Sequence, residues 1–233
     1  MLFKSFCFAL ATAQLIAGHG VIIKAVGDLG GNGTALGVDG STPRDGTKKN
    51  PFQSDSTRFK NNNADACGET LIGGPNEPAK QMEKVVSESS GMPMISAGGM
   101  VMMTLHQVNG DGAGPYNCMI DSSGTGTGGW EKMEVVTNVP GKNSRSQAKA
   151  TDFPLTAKVA ADQKCTGSMA GMSNICMVRC NNAANAGPFG GCVPVTMPNR
   201  GTNSTTTASS TANSKGPQPT GSVVKVARDN IFV

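Results

Sequence analysis

Apolar positions in this chain occur in short runs that are separated by clusters of glycine, proline and asparagine. Runs of this kind predict strands when turn residues bound them, and alternation of apolar with polar residues predicts strands with one buried face. By these criteria we expect strands at residues 20–26, 100–108, 130–137, 155–161, 175–178 and 193–197. Long amphipathic helical patterns are absent, and one short helix is expected between Glu77 and Ser87.

The composition favours the same all-β fold. Glycine is very frequent, with 31 residues, and serine, threonine and asparagine are abundant. Short strands with glycine-rich turns are typical of a β-sandwich or barrel. Residues 27–40 are rich in glycine, but no helix follows them, so they are interpreted as a surface loop rather than a phosphate-binding loop.

Both ends of the chain differ from its middle. Lys4 and the apolar stretch up to Ile16 are typical of a secretory signal peptide. Cleavage after Ala13 matches the small-residue rule better, but it leaves a peptide shorter than the usual minimum of about 15 residues, so cleavage after Gly18 is favoured. We therefore expect a signal peptide at 1–18, a β-sandwich domain at 19–200 and a flexible tail rich in serine and threonine at 201–233.

The cysteines independently favour a secreted protein. One of the seven, Cys7, lies in the expected signal peptide. The other six are expected to form disulfides in an oxidising compartment, with the pairing left open. A zinc or thiol site at Cys176 and Cys180 is less favoured, because no histidine is close in sequence. The disulfide candidates are Cys67, Cys118, Cys165, Cys176, Cys180 and Cys192.

Charge and surface motifs limit the range of partners. The net charge is +4, and the chain has neither a long basic cluster nor many aromatic residues, so nucleic acid is not expected as a partner. The apolar end of the tail is too short for a membrane anchor. Asn32 and Asn203 begin sequons for N-glycosylation. We expect a glycosylated, extracellular monomer.

Two histidines, His19 and His106, are the only ones in the chain. Cleavage after Gly18 would make His19 the first residue, and its α-amine and imidazole would then give a metal two nitrogens. His106 could supply the third. Three neutral nitrogens suit Cu(II), so copper is the expected cofactor. The alternative is that His106 is a hydrogen-bonded core residue of a buried strand.

Methionines cluster around the strand that carries His106. Thioethers suit Cu(I), but methionine is also the usual filler of irregular cores, and the core interpretation is favoured. The cluster comprises Met92, Met94, Met100, Met102 and Met103.

Three segments resemble a known family. The first is His19-Gly20-Val21-Ile22, the second runs from Leu105 to Cys118, and the third runs from Cys176 to Cys192. These segments look like those of the fungal appressorium-associated secreted virulence proteins of the Egh/Gas/Mas type. The pair of histidines is also similar to that of lytic polysaccharide monooxygenases, and this second resemblance implies an immunoglobulin-like β-sandwich with copper on an exposed face.

The resemblance to the monooxygenases implies further site residues. Phe189 matches the aromatic residue on the axial side of the copper, with Tyr116 as an alternative, and Gln163 or Asn185 is a candidate for the polar neighbour. The implied activity is copper-dependent oxidation of a cell-wall polysaccharide such as chitin or another glycan. The alternative is a non-catalytic virulence factor that binds copper or a host surface, because no aromatic platform for sugars is found.

Overall fold

The computed structural model describes residues 19–46, 53–88 and 92–198, all of which belong to one compact unit. Strands are the main regular elements of the described residues, which also contain one α-helix, α1 (Pro78–Glu88), and two 3-10 turns at Asn61–Asn63 and Gly110–Gly112. The strands are β1 (Gly20–Gly27), β2 (Gly30–Gly33), β3 (Thr57–Arg58), β4 (Glu69–Thr70), β5 (Gly74–Pro75), β6 (Met100–Gln107), β7 (Asn117–Asp121), β8 (Trp130–Lys132), β9 (Glu134–Thr137), β10 (Thr151–Lys158), β11 (Gly167–Met169), β12 (Met172–Asn181) and β13 (Phe189–Thr196).

The strands join into one open sheet that folds back on itself. One arm runs β1-β6-β10-β9, with β2 paired to β1. The other arm runs β13-β12-β7-β8, and β11 pairs with β12. The arms meet where β1 and β13 pair in parallel, at Val21 and Gly190. This junction lies next to the histidines, because Val21 is also opposite His106 and follows His19 by two residues.

The core lies between the two arms. Cys180 on β12 has its sulfur 3.9 Å from that of Met103 on β6, although two strands separate them in the sheet, so the arms face each other. Burial of apolar side chains between two such layers is the main stabilising term in a fold of this kind. The core residues on these strands are Ile22, Ala25, Val101, Met103, Leu105, Leu155, Ala157, Cys118, Ile120, Cys176, Val178, Cys180, Val193 and Val195.

All six predicted cysteines form disulfides. The pairs are Cys67–Cys192, Cys118–Cys180 and Cys165–Cys176. Cys118 and Cys180 are opposite each other on β7 and β12, whereas Cys67–Cys192 ties the loop before β4 to β13 across 125 residues of sequence. The expectation of an all-β, disulfide-stabilised fold is therefore confirmed.

Several element boundaries differ from the expectation. Residues 30–33 form strand β2 rather than loop, and β7 was not predicted. Neither the glycines of β2 nor the short sequence Asn-Cys-Met-Ile-Asp of β7 alternates between apolar and polar residues. Strand β10 begins at Thr151, four residues before the predicted start. The predicted strand 130–137 divides at Met133, whose amide donates to the Cys118 carbonyl at 2.9 Å.

The two ends of the chain are not covered. The predicted signal peptide at 1–18, the tail at 201–233 and the sequon at Asn203 lie outside the described residues. Asn32 is exposed on β2, as a glycosylation site requires. In the described segments, no helix combines the length and the apolar character needed to cross a membrane.

Candidate metal-binding site

The register of β1 against β6 brings the two histidines together. Val21 is directly opposite His106, and the His19 carbonyl accepts a hydrogen bond of 3.0 Å from the Val108 amide. Opposite residues of an antiparallel pair share a face, and so do residues two apart on one strand. His19 and His106 are therefore diagonal neighbours on one face, a relation that usually places residues about 7 Å apart.

His106 is held by a carboxylate that the sequence did not indicate. Its ring is 2% exposed, and its Nδ1 lies 2.6 Å from Asp152 Oδ1. Asp152 is the residue opposite His106 on β10. A carboxylate only accepts hydrogen bonds, so Nδ1 of the neutral ring carries the proton and Nε2 keeps its lone pair. Metal-binding histidines commonly have such a carboxylate behind them.

His19 has a buried nitrogen with no partner. Its ring is half-buried, and its Nδ1 makes no hydrogen bond in the described structure. Burial lowers the pKa of His19 below its ordinary value, and the carboxylate of Asp111 opposes part of this shift. The imidazole is thus neutral near pH 7, which is the form that binds metals.

Phe189 packs directly on His19. The two rings are stacked with their centroids 4.5 Å apart and an angle of 20° between their planes. Phe189 is 1% exposed and begins β13, immediately before the residue that pairs with Val21. The predicted aromatic neighbour of the histidines is therefore in contact with one of them, and its hydrocarbon covers one side of the His19 ring.

Asn182 connects the loops around His19 and Phe189, and no pattern in the sequence indicated this role. Its side-chain oxygen accepts hydrogen bonds from the amides of Phe189 and Ala184, at 3.0 and 3.2 Å. Its Nδ2 donates to the carbonyls of Asp111 and Ala113, at 2.8 and 3.0 Å. The loop before Phe189 is thereby tied to the loop that follows β6.

Glycine is required where the second of these loops passes His19. A Cβ atom at Gly112 would lie 1.5 Å from the His19 carbonyl oxygen, so no other residue fits without moving the backbone. Tyr116 supports the same place, since its buried hydroxyl donates to the Gly112 carbonyl at 2.9 Å. Burial raises the pKa of Tyr116, so the hydroxyl stays protonated and serves as a support rather than as a ligand.

Gln163 and Asn185, the remaining candidates, lie in two different places. Gln163 donates to Ser122 Oγ and the Lys164 carbonyl, at 2.8 and 2.9 Å, beside the Cys165–Cys176 disulfide. Asn185 lines an open cavity of about 610 Å³ next to Asp111 and Arg145. The hydrogen bonds described for Gln163 are thus made to residues other than His19 and His106, and the polar neighbour implied by the resemblance stays a prediction.

The two imidazoles are the candidate side-chain donors of this face, because the nearby Asp152 carboxylate is engaged by His106. Within the described ranges, no group of three or more His, Cys, Asp or Glu residues is arranged to hold a metal ion. A metal at this face would therefore need a third donor that is not one of these side chains. The α-amine of His19, once freed by cleavage, is a donor of that kind.

A family model, the Egh16-like virulence factor, matches residues 17–190, which is most of the chain. The chain belongs to this family. It is 55% identical over 186 residues to the appressoria-specific virulence factor GAS1 of Pyricularia oryzae, covering 79% of this chain and 74% of that protein. It is 39% identical over 116 residues to GAS2 of the same fungus, covering 48% of this chain and 40% of that protein.

No solved structure matches the chain. The fold and the histidine face are therefore described from this structure alone. The curated relatives are named as virulence factors specific to the appressorium, and three disulfides are typical of proteins in an oxidising compartment. Both findings favour a secreted protein.

Proposed function

We propose that this protein is a secreted virulence factor whose His19–His106 face binds one copper ion. The observation that carries the proposal is the buried Nδ1 of His19, which is neutral, unpartnered and on the same face as His106. A buried nitrogen without a partner costs about 1–3 kcal/mol, and a bound metal would remove this cost.

The ligands in this proposal are three nitrogens. Cleavage after Gly18 frees the amine of His19, whose Nδ1 is the second donor, and the third is the Nε2 that Asp152 leaves available on His106. Neutral nitrogen donors favour Cu(II) over the other common divalent ions. Asp152 holds the ring of His106 in the right tautomer, and Phe189 keeps water from one side of His19.

Oxidative cleavage of a wall polysaccharide, such as chitin or another glycan, is the second candidate. The stacked Phe189 favours it, because a hydrocarbon ring against the site limits the ligands that could reach copper from that side. Bound copper would supply one-electron chemistry with oxygen or peroxide, which the protein would only orient and protect.

The surface favours the non-catalytic function as the main proposal. The single Trp130 donates its indole N–H to the Asp65 carbonyl at 2.8 Å, and its ring is 5.5 Å from the Arg179 guanidinium. Its contacts are therefore already made within the protein, and the described surface offers no row of free aromatic rings on which a flat sugar chain could stack. Binding to a host or fungal surface without cleavage fits this surface better.

The N-terminus decides the copper proposal. Mass spectrometry of the secreted protein should show His19 as the first residue, and Cu(II) titration should then give one tight site. A matched protein in which the His19 amine is acetylated should bind far more weakly, because the acetylated nitrogen no longer offers its lone pair. An N-terminus other than His19, or equal affinity of both proteins, would overturn the proposed ligand set.

The pH dependence gives a second check. The free amine has an ordinary pKa of about 8, so copper binding near pH 7 displaces its proton. The affinity for Cu(II) should rise between about pH 6 and 8 in the native protein and change less in the acetylated protein, which has no α-amine to deprotonate.

Activity then separates the two candidates. Copper-loaded protein, with ascorbate and peroxide, is incubated with chitin and other wall polysaccharides, and the products are analysed by mass spectrometry. Oxidised oligosaccharides that disappear in His106→Ala would favour the enzyme. Tight copper binding without such products favours a copper-binding or surface-binding factor.

A further inference from the structure

The methionines on β6 are not all part of the core. Val101 and Met103 are buried, but Met100 and Met102 are 39% and 41% exposed. The expectation that this cluster fills the core is therefore correct for Met103 and wrong for Met100 and Met102. Two thioethers two residues apart on a strand point to the same side and are exposed to solvent there.

That side is the one that carries His106. Residues 100, 102, 104 and 106 alternate along β6, so Met100, Met102, Thr104 and His106 share the outer face of the sheet. Met102, Thr104 and Asp152 line one shallow depression of about 550 Å³. Asp152 is the carboxylate that holds His106. The depression thus connects Met102 with the partner of the histidine, and Met100 precedes Met102 on the same face of β6.

The chemistry of this pair is specific. Thioether sulfurs are soft ligands and select Cu(I) over Cu(II), zinc and the hard cations. The two Cα atoms are about 6.7 Å apart along the strand, and each side chain has three rotatable bonds, so both sulfurs can reach one ion. We propose that Met100 and Met102 bind Cu(I) and pass it towards His106 along the outer face of β6 that the three residues share.

The charged residues around Met100 and Met102 are consistent with a site whose metal ligands are thioether sulfurs. Lys24 lines the depression, and Lys158 is opposite Met100 on β10, where it lies 3.8 Å from Glu134. Asp152 is the carboxylate among the residues lining the depression, and it is engaged by His106. The carboxylate of Asp28 is also close, but it accepts hydrogen bonds from the amides of Met100 and Ser96, at 3.3 and 3.0 Å. The site should therefore rely on its sulfurs and bind monovalent soft ions weakly and reversibly, as a transfer site must.

The binding step is tested with Ag(I), a redox-inert probe of Cu(I) sites, and with methionine labelled by carbon-13 at the methyl group. Titration of the mature protein should shift the methyl signals of Met100 and Met102 first, with each signal assigned by its Met→Leu variant. Leucine conserves volume, so these variants keep the fold. Zn(II) should leave both signals unchanged.

Matched variants separate this site from the histidine site. Met119→Leu replaces a half-buried methionine on β7, in the other arm, and should keep the Ag(I) response of Met100 and Met102. The double variant Met100→Leu/Met102→Leu should lose the corresponding equivalent of Ag(I), whereas His106→Ala should retain it. Unshifted Met100 and Met102 signals, or an unchanged Ag(I) affinity of the double variant, would overturn the thioether site.

The transfer step rests on the proposed copper function and is tested separately. Cu(I) is supplied as its bicinchoninate complex under anaerobic conditions, and loss of the colour measures transfer to the protein. The double variant should load more slowly but reach the same final occupancy and the same Cu(II) affinity. Equal loading rates would overturn the transfer, and a native protein without Cu(II) binding would overturn the proposed function while the Ag(I) result stands.

Discussion

The loop around Asp121 and the face around His19 both bury a polar side chain, but they differ in how far its hydrogen bonds are satisfied. Asp121 is 1% exposed, and its carboxylate accepts hydrogen bonds from the Ser123 amide and hydroxyl, the Gly126 amide and the Thr125 hydroxyl, at 2.6 to 3.3 Å. His19 Nδ1 is equally inaccessible and accepts none.

This difference separates a structural polar group from one that is free to bind. A carboxylate with four donors compensates its own desolvation and orders the loop after β7, which leaves nothing for a ligand. A nitrogen without a donor keeps a desolvated lone pair, and it is kept next to a second imidazole by the register of β1 against β6. The two regions therefore make opposite predictions for stability and for copper binding.

Asp121→Ala should have the largest effect of these variants, and it should change only the stability of the protein. It leaves two backbone amides and two hydroxyls without their acceptor, so the free energy of unfolding should fall by about 3 kcal/mol. For a domain of this size that lowers Tm by about 9 °C. Cu(II) affinity should not change. Thermal unfolding and copper titration of the same sample measure both, with Ser123→Ala as a milder control, and a parallel loss of copper affinity would contradict the separation.

His106→Ala should have the largest effect on copper. Loss of the third nitrogen should weaken Cu(II) binding by about 100-fold, which corresponds to about 2.7 kcal/mol. His106→Gln is the matched control, since it fills more of the space but provides no imidazole. Both variants should lose copper affinity to a similar extent although their Tm values differ. Retained affinity in either variant would exclude His106 as a ligand.

Asp152 should act on copper through His106. Asp152→Leu removes the acceptor of the Nδ1 proton, so the ring can rotate or change tautomer, and Cu(II) affinity should fall by about tenfold. Asp152→Asn keeps an oxygen acceptor and should bind nearly as well as the native protein. Because Asp152 is 55% exposed, the Tm of both variants should change little. A drop in Tm without a change in copper affinity would make the Asp152 contact a purely structural one.

Strands with a strong local pattern could be predicted from the sequence, but the partners that complete the site could not. The apolar run of β6 and the β-branched run of β1 predicted both strands and therefore the position of each histidine. Asp152 meets His106 only through the pairing of β10 with β6, across 46 residues of sequence. No local pattern encodes such a contact.

The methionines of β6 show the same limit for burial. An apolar run is equally consistent with a strand buried on both faces and with one whose outer face is uncovered. The arms of this sheet pack on the inner face only, so Met103 is buried and Met102 is exposed. The disulfide pairing is similarly non-local, because Cys67 joins Cys192 through the packing of the β3–β5 segment on β13.

Gln163→Ala should have the smallest effect on copper, and it tests the comparison most directly. Gln163 Oε1 is buried without a partner, as His19 Nδ1 is. Its surroundings differ, because its Nε2 is bonded to Ser122 and the Lys164 carbonyl and no imidazole or carboxylate contacts it. An unpartnered atom alone does not make a metal site; it must also lie beside other donors of the right chemistry.

Gln163→Ala should therefore change the free energy of unfolding by about 1 kcal/mol and leave Cu(II) affinity unchanged, as measured by thermal unfolding and copper titration. A loss of copper affinity in this variant would mean that the polar neighbour of the copper is Gln163 after all and that the site extends beyond the His19 face.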